Sequence, residues 1–265
     1  MIYIFSGIIL YIFSGLILYL LQRRILFNTS GRPKKPDYYG LKNIREIKIL
    51  SDDKVSLLSW YFEGNKDKPI LIYFHGNSFD IGERAYRIEK YISLNYSVLL
   101  VSWRGFSGNN GKPSEDNLYI DGESAIKWVL NSTNKKLKDI VIYGESLGTG
   151  VAIQLATKND FACIVLEAPF TSIVDIAKKR YKLFPVRLLV KDKFDNFSKI
   201  KKINSPLLII SGKKDEIVPH SHSRILFNEA EVNKKSVFVD EAMHNNLYDF
   251  GIEKEVNKFV LSVWK

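Results

Sequence analysis

The stretch Ile140-Val141-Ile142-Tyr143-Gly144-Glu145-Ser146-Leu147-Gly148 constrains this chain more than any other. An apolar run of the kind that forms a short buried strand leads straight into Gly-x-Ser-x-Gly. The residues that follow, Thr149-Gly150-Val151-Ala152-Ile153-Gln154-Leu155-Ala156, read as a helix. A serine between the two sits on a sharp, strained turn, flanked by glycines because bulkier residues would clash with the neighbouring strand and helix. Its hydroxyl lies near a helix N-terminus, whose partial positive charge favours a developing oxyanion. Ser146 is therefore the candidate nucleophile.

A nucleophilic serine needs a base, and the base needs an orienting carboxylate. On a fold with this strand–turn–helix element the chain order is serine, acid, histidine. Of the four histidines, His75 precedes the serine. His244 follows the strand-like run 236–240 in the loop Glu241-Ala242-Met243-His244-Asn245-Asn246, where the base is expected. His220 and His222 follow Pro219 at a helix start. Their His-x-His spacing suits a metal, but no further Cys or His cluster completes such a site, and they read as ordinary surface residues. For the acid, Asp215 follows the apolar strand 206–211 and the turn Gly212-Lys213-Lys214, at a strand's carboxyl end where catalytic groups gather in open α/β sheets. Glu167, at the end of an earlier strand, is the second candidate, and Glu216 a third whose place at a helix start has a dipole explanation.

A second oxyanion donor is expected after an early strand. The run 70–74 ends in His75-Gly76-Asn77, so the backbone N–H of Asn77 is expected to pair with that of Leu147. His75 then reads as structural, fixing the loop by hydrogen bonding.

These pieces resemble the α/β-hydrolase superfamily, and more narrowly the α/β-hydrolase-domain-containing serine hydrolases, a branch that includes single-pass membrane-anchored enzymes and protein depalmitoylases. The resemblance rests on His75-Gly76-Asn77, on Trp103-Arg104-Gly105-Phe106-Ser107-Gly108 and on Gly111-Lys112-Pro113-Ser114-Glu115. It continues through the Ser146 element, Glu167-Ala168-Pro169-Phe170-Thr171-Ser172, Gly212-Lys213-Lys214-Asp215-Glu216 and His244-Asn245, covering the chain from about residue 65 onward. It implies the triad Ser146, Asp215 and His244. The depalmitoylases carry a cysteine-rich, lipid-modified N-terminus. Here Cys163, inside an expected strand, is the single cysteine, which excludes an internal disulfide and suits a reducing compartment.

The 265 residues suit one domain plus an appendage, and a 46% hydrophobic fraction is ample for its core. The appendage, residues 1–22, holds no charged side chain; as a helix it would span the roughly 30 Å of a hydrocarbon core. A cleavable signal fits less well, since no basic region precedes the apolar run and no small-x-small site follows it. The octad echo Tyr3-Ile4-Phe5-Ser6-Gly7 and Tyr11-Ile12-Phe13-Ser14-Gly15 repeats small residues on similar helix faces and could support helix pairing. Arg23, Arg24, Arg32, Lys34 and Lys35 follow in a basic linker, 23–43, so the positive-inside rule puts the remaining domain in the cytoplasm. The net charge of +10 agrees with a domain held beside anionic lipid. Scattered cations without a recognised motif argue against nucleic acid.

From 44 to 265, strands expected at 44–50, 55–62, 70–74, 98–102 and 140–143 alternate with helices at 83–94 and 116–130. The expected fold is α/β: a mostly parallel eight-stranded sheet with helices on both faces. A short cap insertion, about 170–204, interleaves Tyr181, Leu183, Phe184, Leu188 and Leu189 with Lys178, Lys179, Arg180 and Arg187. It reads as an amphipathic helix packed on the domain, compatible with a lid shaping an acyl pocket beside the membrane. No nucleotide cofactor is expected. Gly144-Glu145-Ser146 puts serine where a dinucleotide fingerprint needs its second glycine, and Gly111-Lys112 is followed by Pro113 instead of Ser or Thr. The expected function is hydrolysis of acyl esters or thioesters by a membrane-anchored serine hydrolase needing neither cofactor nor metal. A peptidase using the same triad, or a silent membrane-tethered scaffold, are the alternatives.

Overall fold

Eight strands make one sheet: β1 (Arg45–Leu50), β2 (Ser56–Phe62), β3 (Ile70–Phe74), β4 (Ser97–Val101), β5 (Ile140–Glu145), β6 (Cys163–Glu167), β7 (Leu207–Gly212) and β8 (Lys234–Val239). Their spatial order is β1-β2-β4-β3-β5-β6-β7-β8. β2 runs antiparallel to β1 and β4, and every pair from β4 to β8 is parallel. The computed structural model describes residues 2–264, so Met1 of the expected anchor and Lys265 of the expected domain lie outside the described residues.

Side-chain alternation explains the layers. In β3, Ile70, Ile72 and Phe74 join one buried core while Leu71 and Tyr73 join a second on the other face; Leu99 and Val101 of β4 divide from Val98 and Leu100 in the same way. Strands apolar on both sides need helices on both. The first core is closed by Leu118, Ile126 and Val129 of α3 (Glu115–Ser132), Val151 and Leu155 of α4 (Leu147–Ala156) and Leu226 of α8 (His220–Glu229). The second is closed by Ile88 and Tyr91 of α2 (Ala85–Ser93) and by Val256, Phe259 and Val260 of α9 (Ile252–Val263). Ser114 caps α3, its hydroxyl accepting from Asn117 N–H, and Glu115 and Asp116 face the positive helix end.

Between β6 and β7 lie three short helices, α5 (Ile173–Arg180), α6 (Val186–Leu189) and α7 (Asn196–Ile200). The N-terminal helix α1 (Ile2–Leu26) extends to Arg23 and Arg24 in its last turn, and its apolar side chains from Tyr3 onward are mostly exposed. Immediately after it, Phe27 is 3% exposed and shares the first core with Phe74, Trp103, Phe106 and Leu147. Asn28 then bridges to Ser78. Cys163 is a buried core residue whose thiol pKa is pushed up by burial.

Candidate active site

Parallel strands deliver their carboxyl ends to one edge of the sheet, and the site is assembled there. β5 ends at Glu145 and α4 begins at Leu147, leaving Ser146 alone on the turn with φ 49° and ψ −112°. A non-glycine residue in that region is strained. The strain is held in place from both sides. Ser146 N–H donates to the Glu167 carbonyl on β6 at 2.8 Å, while the Ser146 carbonyl accepts from the Thr149 hydroxyl at 2.6 Å. A Cβ at Gly144 would come within 2.7 Å of the Thr149 Cα, and one at Gly148 would strike the Phe74 carbonyl, which is why the motif needs both glycines.

His244 lies on the loop after β8. Its Nε2 is 3.2 Å from Ser146 Oγ, and its Nδ1 is 2.7 Å from Asp215 Oδ2. The other Asp215 oxygen accepts the N–H groups of Ile217 and Val218 at 2.9 and 2.8 Å. With its carboxylate fully buried, Asp215 has both oxygens committed, one to the imidazole and one to its own loop. The His244 loop is pinned at three points. Met243 N–H donates to Asn246 Oδ1, Lys214 N–H donates to the Ala242 carbonyl, and Arg87 Nη2 donates to the Asn245 carbonyl at 3.3 Å.

The loop after β3 passes beside Ser146: a Cβ at Gly76 would lie 3.4 Å from the Ser146 Cβ. Asn77, next in that loop, accepts Asn28 N–H through its carbonyl at 2.9 Å and donates its side-chain amide to the Leu26 carbonyl at 3.0 Å. Leu147 N–H occupies the first position of α4, where helix geometry supplies no intrahelical acceptor. His75 is fully buried, donates Nδ1–H to the Gly76 carbonyl at 2.8 Å, and offers its own carbonyl to Trp103 Nε1–H at 3.1 Å. Burial, with Arg84 nearby, pushes its pKa down to about 3, so the ring is neutral.

Beneath the turn lies a charged layer that the sequence did not announce. Arg84 forks onto Glu145 at 2.8 and 3.1 Å, and Arg87 bonds Glu167 at 2.7 Å and approaches Glu145 at 3.5 Å. Tyr73 and Tyr143 donate their hydroxyls to Glu145 and Glu167 respectively. Burial alone would raise the Glu145 pKa, but the two guanidinium groups outweigh it and hold that carboxylate below the usual range. Glu167, the second candidate for the acid, is therefore spent on Arg87 and Tyr143, and Glu216 is exposed. His220 and His222 are not ordinary surface residues. His222 is half-buried with Nδ1 2.8 Å from the Thr171 hydroxyl, and His220 bonds Ser211 and packs edge-on to Phe238. A cleft of about 710 Å³ opens beside His222, walled by Thr171, Val174, Asp175, Lys178 and Phe197; Ser146 is outside its lining.

The signal that could have found Arg84 and Arg87 is the pair of carboxylates at matching ends of two apolar strands. Glu145 and Glu167 stand opposite each other in the β5–β6 register, and buried acids in that position require cations.

Residues 103–246 match the prolyl oligopeptidase family. An uncharacterized protein of Mycobacterium tuberculosis is 32% identical over 84% of this chain and 80% of its own length. The human α/β hydrolase domain-containing protein 17B is 33% identical over 69% of this chain and 63% of its own. Among solved structures, the Pyrococcus furiosus esterase Pf2001 superposes with a TM-score of 0.75 at 21% identity, over 90% of this chain and 99% of that one. A matched family segment longer than half the chain and a relative above 30% identity over most of it lead to one conclusion: the chain is an α/β hydrolase of the prolyl oligopeptidase family.

Proposed function

We propose that this chain is a membrane-anchored serine hydrolase that cleaves carboxylic esters or thioesters of acyl chains through Ser146, His244 and Asp215. The observation that carries the reading is the continuous relay from Ser146 Oγ through His244 to a buried, doubly committed Asp215. Ser146 Oγ attacks the acyl carbonyl while His244 Nε2 takes its proton. Asp215 keeps the imidazole in the tautomer with hydrogen on Nδ1 and stabilises the cation that forms. The N–H groups of Leu147 and Asn77 receive the oxyanion, each worth about 3 kcal/mol in the transition state. His244 then protonates the leaving alcohol or thiol, and water, activated by the same imidazole, releases the acyl group and frees Ser146.

The anchor is α1. Its span Tyr3–Leu26 has a mean hydropathy of 2.3 and none of it is buried within the protein. Arg23, Arg24, Arg32, Lys34 and Lys35 at its downstream end favour a cytoplasmic catalytic domain. The family match favours one second reading, a peptidase, since the same acyl-enzyme forms from an amide. A fluorophosphonate probe is expected to label the wild-type chain and not Ser146→Ala. Purified protein is expected to cleave p-nitrophenyl acyl esters faster than peptide amides. Labelling that survives Ser146→Ala would move the nucleophile elsewhere, and faster amide cleavage would install the peptidase.

A further inference from the structure

α1 does not project freely from the domain. Between Tyr3 and Ile25 most of its side chains are exposed, but Ser14, Gly15, Leu18 and Gln22 form a partly covered stripe at helical spacing. What covers it is the cap. The Tyr11 ring stacks on Phe184 with centroids 5.0 Å apart, and a Cβ at Gly15 would lie 3.3 Å from the same phenylalanine. Gly15 thus admits a cap side chain; the helix partner suggested by the small-residue echo is not what it meets. Further down, the Lys191 ammonium sits 4.0 Å over the Tyr19 ring, and Arg23 forks onto Asp192 at 2.7 and 3.0 Å.

Two of these contacts have a particular chemistry. The Leu183 carbonyl accepts the Tyr11 hydroxyl at 2.7 Å, and the Leu189 carbonyl accepts Gln22 Nε2 at 3.1 Å. Gln22 also accepts Lys191 N–H through its oxygen at 2.8 Å. Irregular backbone is tolerated in lipid only where its polar groups are met by protein, and here side chains of the apolar helix meet them. On the outward side the same segment exposes Leu183 by 80% and Leu188 by 83%, ringed by exposed Lys179, Arg180, Lys182 and Arg187. Large apolar tips inside a basic collar are the surface that an anionic bilayer interface accepts.

We propose that residues 181–190 are a second membrane-entering element. Beside α1 they sink Leu183 and Leu188 into the acyl layer of the near leaflet, with their cations on anionic headgroups, so that the hydrolase takes its acyl substrate sideways from the bilayer. This rests on the reading of α1 as a membrane anchor. The twelve helical steps from Tyr11 to Arg23 correspond to about 18 Å, so an upright α1 would carry the cap cations past the middle of a bilayer. A tilted α1, with lysines and arginines reaching back to the headgroups, relieves that cost. The membrane-facing helix ends beside the candidate site, because Asn77, in the loop next to Ser146, is hydrogen-bonded to the Leu26 carbonyl.

The test uses the full chain in vesicles of mixed phosphatidylcholine and phosphatidylserine. Leu183→Cys and Leu188→Cys are each labelled with a polarity-sensitive fluorophore; native Cys163 is buried. Flotation and carbonate resistance report on α1 in the same samples. A blue-shifted emission quenched by brominated acyl chains is the expected result. Water-like emission at both positions with α1 retained would overturn the cap proposal alone, and loss of α1 from the vesicles would overturn the anchor and the cap together. As a second arm, Leu183→Asp with Leu188→Asp is expected to slow hydrolysis of a vesicle-embedded long-chain ester by about tenfold or more. Hydrolysis of a soluble short-chain ester should stay within about twofold, since neither residue touches the Ser146 site. Equal loss on both substrates, or on neither, would refute lateral delivery.

Discussion

Asn77 joins the end of α1 to the catalytic edge of the sheet: its side-chain amide donates to the Leu26 carbonyl while its own carbonyl accepts from Asn28. The loop beside Ser146 is therefore held from the side of the helix. Asn77→Ala keeps the backbone N–H but releases the Leu26 carbonyl, at a cost of about 1 kcal/mol. On the oxyanion role proposed for the Asn77 N–H, the expected outcome is a modest fall in melting temperature and a drop in kcat of about tenfold, because small displacements of such a donor are felt in the transition state. Fluorophosphonate labelling rates and thermal melts of the detergent-solubilised chain measure both. An unchanged kcat would remove Asn77 from the oxyanion site.

Arg87 links three parts of the molecule, bonding Glu167, approaching Glu145 and holding the Asn245 carbonyl beside His244. Arg87→Met would leave buried carboxylate charge without its partner, a loss of about 3–5 kcal/mol. Adding Glu167→Gln should recover part of that stability, since one uncompensated acid is then gone. Urea titration of the two variants checks the sign. Recovery of stability without recovery of kcat would further identify Arg87 as a positioning residue for the His244 loop.

Acid sensitivity should have a component from His75. The ring is ordinarily protonated near pH 6.5 when unfolded, but burial depresses its folded value to about 3. Between those values the unfolded chain binds the extra proton, so stability is fully present above about pH 6.5 and is lost as pH falls toward 3. The slope contributed is about 1.4 kcal/mol per pH unit. His75→Asn removes the titrating group and can still donate to the Gly76 carbonyl. Its stability between pH 6 and 4 should fall less steeply than that of the wild type, and parallel curves would contradict the assignment.

The parts of this molecule that were legible in its sequence are local or ordered along the chain. The Ser146 turn is written in five consecutive residues, and Asp215 and His244 each follow a strand with a short polar loop, so chain order was enough to make them candidates, which the fold brings within hydrogen-bonding reach of one another. The buried strands were plain because their apolar runs lack interruption, as Ile140 to Tyr143 shows. Arg84 and Arg87 were invisible for the opposite reason. On α2 and the turn before it they look like ordinary helix cations, and their partners lie 61 and 80 residues away. Asp192 was missed likewise: it is nearly buried only because Arg23 and the Glu115 N–H converge on it from distant segments. The His-x-His pair misled because burial depends on what α8 packs against, and that is set by Thr171 and Phe238.

The seating of Phe27 in the first core carries a dynamical consequence. A hydrolase suspended from a slack tether would tumble and sample its surroundings in three dimensions. With Phe27 locked one residue past α1, there is no swivel between the two. On the proposed reading of α1 as a membrane anchor, the domain is committed to planar diffusion with one face permanently downward. Its turnover would then be governed by how crowded that plane is with substrate, whatever the volume above it contains.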